Sequence, residues 1–191
     1  MRRPLQAISS AALLATLALT GCGTGTVATT RKQAAIPFGS PAISGKNAIP
    51  AKYTCDGKNI SPPLGWGQVP AGTKEVALFV LGLTPTPSGG SAITIDWAVG
   101  GVDANLHQLA AGHLPKGTNV GANSDGSHGY RICPAKGSRK TYEFAVYAVP
   151  PGAKKLEGPF KGLQLLGELA SNNSPSIAPA GGQFAAFYER K

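Results

Sequence analysis

The sequence predicts an all-β domain, made mainly of strands with one or two short helices. Its 191 residues include 26 glycines and 16 prolines, and both residue types interrupt helix interiors, which excludes a helical bundle or a coiled coil. Apolar and β-branched runs recur along the chain, and only 14% of the residues are charged, which argues against disorder. The length fits one folded domain.

Four segments have the pattern of β-strands. Residues 76–81 form a continuous apolar run, which is typical of a buried strand. Residues 93–99 and 141–149 have the alternating pattern of a strand, in which every second side chain lies on the same face. Both segments are rich in β-branched and aromatic residues. Residues 184–188 predict a last strand close to the C-terminus.

A single helix is predicted over residues 161–171, because Leu163, Leu166 and Ala170 recur at helical spacing. The other segments are long and rich in turn residues, and loops of this length often carry function in compact domains. They cover residues 50–72, 84–91, 103–139 and 172–182.

The N-terminus has the pattern of a secretory signal. Arg2 and Arg3 precede an apolar stretch at 11–19, and small residues follow it up to Cys22. The apolar stretch is too short to span a bilayer. Residues 19–22, Leu-Thr-Gly-Cys, resemble the bacterial lipobox, which implies cleavage before Cys22 and its diacylation. The alternative is an ordinary signal peptide in which the Cys occurs by chance.

These features divide the chain into a lipoprotein signal peptide (1–21), a flexible tether (22–35) and one domain (36–191). We expect the mature protein at the cell membrane, lipid-anchored through Cys22 and facing the extracytoplasmic side, because two acyl chains hold a protein stably. Cleavage would remove two arginines from the formal net charge of +9. The remaining basic excess fits weak attraction to anionic lipid or cell-wall polymer, or a solvated surface without a partner. Scattered lysines and export argue against nucleic acid.

Two loops contain detailed motifs. Residues 53–66 read YTCDGKNISPPLGW, and residues 126–137 read GSHGYRICPAKG. Together with the strand order, these motifs resemble the phosphatidylethanolamine-binding protein (PEBP) family, in its bacterial Raf-kinase-inhibitor-like branch, over about residues 36–190. The resemblance implies a β-sandwich around a large antiparallel sheet. It also implies a family without a defining reaction, whose members bind small anions in a shallow pocket or inhibit and scaffold other proteins.

Under this resemblance both loops border one ligand pocket. It implies no catalytic residue and no cofactor, and the 129–134 backbone would form one wall. The ligand-binding residues that it implies are Asp56, Asp96, Trp97, His128, Gly129, Tyr130, Pro134 and Lys140.

Three positions depart from the family pattern. The family's Asp-Pro-Asp-x-Pro turn corresponds to residues 82–87, which contain no Asp; its His before Trp97 is Asp96, and the His of its His-x-Tyr pattern is Lys140. An ionised Asp only accepts hydrogen bonds and repels an anion, so Asp96 disfavours phosphate unless Lys140 or Arg131 compensates. The ligand is then different or the pocket is vestigial, and both readings stay open. Asp96 also has a structural interpretation, as a strand-end carboxylate satisfied by backbone N–H groups or a lysine.

The cysteines allow two readings. If Cys22 is acylated, two cysteines remain, Cys55 and Cys133. An even number of cysteines in an exported protein suggests a disulfide, and the alternative is that both are buried free thiols. The resemblance brings their loops to one pocket and therefore favours the Cys55–Cys133 bridge. No metal site is expected, because neither Cys has a second ligand two to four residues away.

The sequence thus predicts an exported, membrane-anchored, non-catalytic lipoprotein with a PEBP-like domain that binds a small polar or anionic ligand or a protein partner. The alternative is a protease or kinase inhibitor-like interaction module with a vestigial pocket. A hydrolase using Asp96 and His128 is a third hypothesis, and it lacks a visible nucleophile–base pair or nucleophile elbow.

Overall fold

The computed structural model describes residues 35–43, 47–150, 159–170 and 180–191. The predicted signal peptide and tether lie outside these residues, apart from Ala35. The described elements are, in chain order, β1 (Phe38–Gly39), a 3-10 turn (Ala51–Tyr53), β2 (Leu64–Trp66), β3 (Glu75–Pro85), β4 (Ser91–Asp103), a second 3-10 turn (Ala104–Leu106), β5 (Gln108–Leu109), β6 (Asn119–Val120), β7 (Arg139–Ala148), α1 (Gly162–Ala170) and β8 (Gly181–Glu189).

The strands form two antiparallel sheets. The large sheet has the order β6-β4-β3-β7-β8, and the small sheet has the order β1-β2-β5. The all-β prediction is confirmed, and the four predicted strands are the long strands β3, β4, β7 and β8. β3, β4 and β8 extend past both predicted bounds, whereas β7 begins two residues earlier than predicted and ends one residue earlier, at Ala148. Residues at the strand ends that lie outside the apolar patterns still pair in the ladder.

The predicted helix corresponds to α1, and the segments predicted as loops contain three short strands. β2, β5 and β6 have two or three residues each, which is too short for a periodic pattern in the sequence. They exist because each pairs with a neighbour: β2 with β1 and β5, and β6 with β4.

The large sheet has an apolar core on each face. Successive residues of 76–81 point alternately to the two faces, and all of them are buried. One face packs against the small sheet, where Trp66 joins the core. The other face packs against α1 through Leu165 and Leu169. This two-sided burial explains the continuous apolar run in β3.

Candidate functional site

A β-bulge in β4 places Asp96 and Trp97 on the same face of the large sheet. In the pairing with β3, Val80 opposes Trp97 and Leu81 opposes Ile95, so Asp96 is the extra residue. Trp97 belongs to the core between the two sheets, whereas Ile95 belongs to the core under α1. Bulges re-aim side chains in this way and are frequent next to functional sites.

Gly82 of β3 forms the floor beside this bulge. It opposes Thr94 on one side and Tyr142 on the other. A side chain at Gly82 would overlap the Asp96 carboxylate and the Lys140 ammonium group, which both lie directly over the glycine. The missing side chain therefore provides the space that the two charged groups occupy.

Asp96, Thr94 and Lys140 form a polar cluster over this floor, which we call the Asp96 cluster. The Lys140 Nζ lies 3.6 Å from Asp96 Oδ2 and donates a hydrogen bond to Thr94 Oγ1 at 3.1 Å. The Thr94 hydroxyl lies 3.2 Å from Asp96 Oδ2 and 3.3 Å from the Gly82 carbonyl oxygen, and it donates to one of them at a time. The Asp96 and Lys140 side chains are each 23% exposed, so the cluster reaches solvent.

The environment of Asp96 shifts its ionisation. Burial raises the pKa of the Asp96 carboxyl, and Lys140 and the hydrogen bond from Thr94 offset part of that increase. The nearby Asp125 adds to the increase. Burial also raises the pKa of Tyr142, with a further contribution from the Asp96 charge. The sequence left open whether a cation compensates Asp96, and the structure identifies Lys140 as that cation.

Trp97 and Tyr130 form an aromatic corner next to the Asp96 cluster. Their rings meet edge to face, with centroids 5.6 Å apart. The Tyr130 hydroxyl donates to the Tyr53 carbonyl oxygen at 3.0 Å, and Asn59 Nδ2 donates to the Tyr130 carbonyl oxygen at 3.3 Å. Burial raises the pKa of Tyr130, which keeps its hydroxyl a donor. These contacts fix both motif loops over Trp97.

The Cys55–Cys133 disulfide is formed and joins the same two loops. The Cys55 backbone N–H also donates to the Ile132 carbonyl oxygen at 3.0 Å. The predicted bridge is therefore confirmed. It links segments that are 78 residues apart in the sequence.

Asp56 contacts the C-terminal strand. Its carboxylate accepts hydrogen bonds from the Tyr188 hydroxyl at 2.8 Å and from Arg190 Nε at 3.0 Å. The hydrogen bond from Tyr188 is the main cause that lowers the pKa of Asp56, and Arg190 lowers it further. Arg190 also donates to the Pro134 carbonyl oxygen at 3.2 Å. The structure thus places Asp56 and Pro134 in a link between the disulfide loops and the end of β8, and not in the hydrogen bonds of the Asp96 cluster.

His128 lies along a different cleft. The cleft has a volume of about 540 Å³ and is lined by His128, Phe160 and residues of α1, and none of Asp96, Trp97, Tyr130 or Lys140 lines it. Gly129 has a φ of 102°, which favours glycine. Its carbonyl oxygen accepts a hydrogen bond from Asn123 Nδ2 at 2.9 Å. Gly129 thus shapes the loop through its backbone.

Arg131 does not compensate Asp96 with its side chain. Its guanidinium pairs with Asp125 at 2.8 Å, and both side chains are half exposed. Its backbone N–H donates to the Asp96 carbonyl oxygen at 3.0 Å.

Sequence reasoning missed Gly82, Thr94 and Arg190. Thr94 carries a signal, because residues two apart on a strand share a face and Thr94 precedes Asp96 by two. Gly82 and Arg190 carry none, since their roles depend on side chains that are distant in the sequence. Among the described residues no three metal-ligating side chains converge, and no helix in the same part of the chain is long and apolar enough to cross a membrane.

Comparison with known proteins gives the family. The sequence model of the family described as "Phosphatidylethanolamine-binding protein" matches residues 39–184. A UPF0098 protein of Methanothermobacter thermautotrophicus is 37% identical over 126 residues, which cover 60% of this chain and 80% of that protein. The "Putative lipoprotein LppC" of Mycobacterium tuberculosis is 33% identical over 172 residues, which cover 76% of this chain and 83% of that protein.

The fold agrees with this assignment. The crystal structure of Escherichia coli YbcL, a member of the mammalian PEBP family, superposes with a TM-score of 0.65 and 26% identity, over 83% of this chain and all of YbcL. The family model covers more than half of the chain and both motif loops. The chain therefore belongs to the phosphatidylethanolamine-binding protein family.

Proposed function

We propose that this protein is an exported, membrane-anchored lipoprotein whose PEBP domain binds a small polar ligand at the Asp96 cluster without catalysing a reaction. The observation that carries the proposal is the loose, solvent-reaching pair of Asp96 and Lys140, 3.6 Å apart. An ammonium group has three N–H donors, and among the described residues Lys140 uses one of them, to Thr94. The contacts of Lys140 and Thr94 with the Asp96 carboxylate are both to Oδ2.

The charges of the cluster define the ligand chemistry. The Asp96 carboxylate repels a simple anion, and the Lys140 ammonium group repels a simple cation. A group that offers one acceptor and one donor satisfies both, as an amide, a hydroxyl or a zwitterion does. An anion binds well only when Asp96 is protonated, and the raised pKa of Asp96 brings that state closer to neutral pH.

The test is a titration of the isotope-labelled full chain, followed by NMR, with glycine as the zwitterion, acetamide, ethanolamine and sulfate. We expect glycine and acetamide to shift the signals of Thr94, Trp97 and Tyr130 at neutral pH. Sulfate should shift these signals only at lower pH, or in Asp96→Asn at neutral pH, because the Asp96 carboxylate repels it. The charge of sulfate does not change over this pH range, so the pH dependence reports on the protein. Gln183, at the other end of β8, is the reference signal. If none of the four probes shifts the cluster at any pH, ligand binding at this site is wrong.

The anchor is supported by residues 19–22 and by the likeness to LppC. We propose that Cys22 is acylated and holds the protein on the extracytoplasmic side of the cell membrane. Intact mass of the membrane fraction should show cleavage before Cys22 and the added acyl mass. Cys22→Ser should lose both, and a full-length precursor in membranes of the unchanged protein would contradict the proposal.

A further inference from the structure

Positive charge is concentrated on the two loops that the disulfide joins. Residues 50–60 and 130–140 contain a single carboxylate, that of Asp56. Their cationic residues are Lys52, Lys58, Arg131, Lys136, Arg139 and Lys140. Such an imbalance creates a positive local field at the surface.

Four of these cations form no ion pair among the described residues, and one of the four, Arg139, packs over the Phe187 ring instead. Asp56, Asp96 and Asp125 are paired with Arg190, Lys140 and Arg131, respectively. The remaining lysines at 52, 58 and 136 are all exposed. We call Lys52, Lys58 and Lys136 the basic rim.

The basic rim lies on the two loops beside the disulfide. The Lys58 N–H donates to the Lys52 carbonyl oxygen at 3.2 Å. Lys136 follows Cys133 by three residues, and its charge acts on Asp56, next to Cys55. Arg139 lies at the near end of β7, with its guanidinium 3.6 Å from the centroid of the Phe187 ring.

The basic rim lies at the opposite end of the large sheet from the point where the N-terminal chain joins the domain. Ala35 pairs with Gly181, and Gly181 opposes Tyr147 on β7. The rim lies at the end where Lys140 opposes Tyr188. Tyr147 follows Lys140 by seven residue steps, so the two ends are about 23 Å apart along the strand.

We propose that the basic rim docks an acidic protein segment from the extracytoplasmic space. The nearby carboxylate of Asp56 is already paired with Arg190, so the exposed lysines of the rim are complementary to a run of carboxylates from a partner. The extracytoplasmic location of this segment rests on the export of the chain proposed above. An anionic bilayer is the competing occupant, and the experiment below separates it from a protein segment.

The test uses the acylated full chain in phosphatidylcholine vesicles and a fluorescent oligoglutamate peptide, with an uncharged Gly–Ser peptide as reference. The triple variant Lys52→Gln, Lys58→Gln, Lys136→Gln should bind oligoglutamate about tenfold more weakly. The matched variant Lys74→Gln, Lys116→Gln, Lys161→Gln removes the same charge from other exposed sites and should change binding by less than about twofold. Adding phosphatidylglycerol to the vesicles should leave peptide binding unchanged.

Three results would overturn the proposal. Equal loss in both triple variants would mean attraction by the overall charge. Loss of peptide binding on phosphatidylglycerol vesicles would mean that the rim lies on the bilayer. Binding of neither peptide, or of both equally, would mean that the rim does not select carboxylates. If Cys22 carries no lipid, only the proposed anchor is contradicted. The comparison of the two triple variants with oligoglutamate can then be made with the chain in solution.

Discussion

The two ends of the five-stranded sheet are built from the same strands and bury different chemistry on the same face. At the end near Ala35, Val76 opposes Val102 and Ala148, and these three side chains are 0–3% exposed. At the other end, the same face holds Asp96 and Lys140, each 23% exposed. One face of the sheet thus carries an apolar core at one end and a polar cluster at the other.

Two local features produce this difference. Gly82 removes a side chain from β3, and the bulge at Asp96 adds a residue to β4 beside it. The first opens a space and the second turns a carboxylate into it. The disulfide loops then cover Trp97 through Tyr130. A site can therefore be placed on a core face without a change in the order of the strands.

The largest expected effect comes from removing the disulfide, which ties down the polar end. The double variant Cys55→Ser, Cys133→Ser should lower the free energy of unfolding by about 4 kcal/mol, because the bridge closes a loop of 78 residues. Urea unfolding followed by fluorescence measures this loss. Reduction of the unchanged protein should reproduce it, whereas an unchanged urea midpoint in both would show that the loops do not need the bridge.

The next largest effect is expected from a side chain added at Gly82, the floor of the Asp96 cluster. Gly82→Ala places a methyl group where Asp96 and Lys140 lie, and we expect a loss of about 1–3 kcal/mol in the free energy of unfolding. NMR signals of Thr94 and Lys140 should shift with it. The matched control is Gly39→Ala on β1, where an added Cβ contacts nothing within 4 Å. Equal effects of the two changes would refute the role of Gly82.

The sequence predicts the long strands and the helix because their patterns are local. The continuous apolar run at 76–81 and the helical spacing at 161–171 are visible without knowledge of any partner. β2, β5 and β6 escape prediction because pairing alone creates them. The disulfide is predicted from the two cysteines that remain in an exported chain, and the family motifs strengthen that prediction.

The site is predicted less completely, because its geometry depends on pairs of distant residues. Asp96 and Lys140 are individually recognisable, but the bulge that joins Asp96 to the Trp97 face is a property of the β3–β4 register. Asp56 is predicted in the pocket, and its actual partner Arg190 is 134 residues away. No local pattern encodes such a contact.

A smaller effect is expected from the hydroxyl that holds the motif loops together. Tyr130→Phe removes the hydrogen bond to the Tyr53 carbonyl oxygen and should lower the free energy of unfolding by about 1 kcal/mol. Faster hydrogen exchange at residues 53–59 should accompany it. Tyr147→Phe, whose ring packs on Phe79 at the other end, should cost less than about 0.5 kcal/mol. A larger loss at Tyr147 would reverse the comparison of the two ends.

The smallest expected effect is the pH dependence that Asp96 gives to folding. Burial raises the pKa of Asp96 above 3.8 in the folded protein. Between that value and the folded pKa, the native state binds more protons than the unfolded chain, so stability falls as the pH rises through this window. Asp96→Asn cannot titrate, and groups common to both proteins cancel in the difference between their unfolding free energies.

This difference, wild type minus Asp96→Asn, should decrease as urea unfolding is repeated from pH 3.5 upward, and it should level off above the folded pKa. Lys140→Gln should steepen the decrease, because Lys140 lowers the pKa of Asp96. A difference that rises with pH would mean that Lys140 and Thr94 outweigh burial. The polar end would then hold a carboxylate stabilised by its neighbours, which leaves less reason for a ligand to complete it.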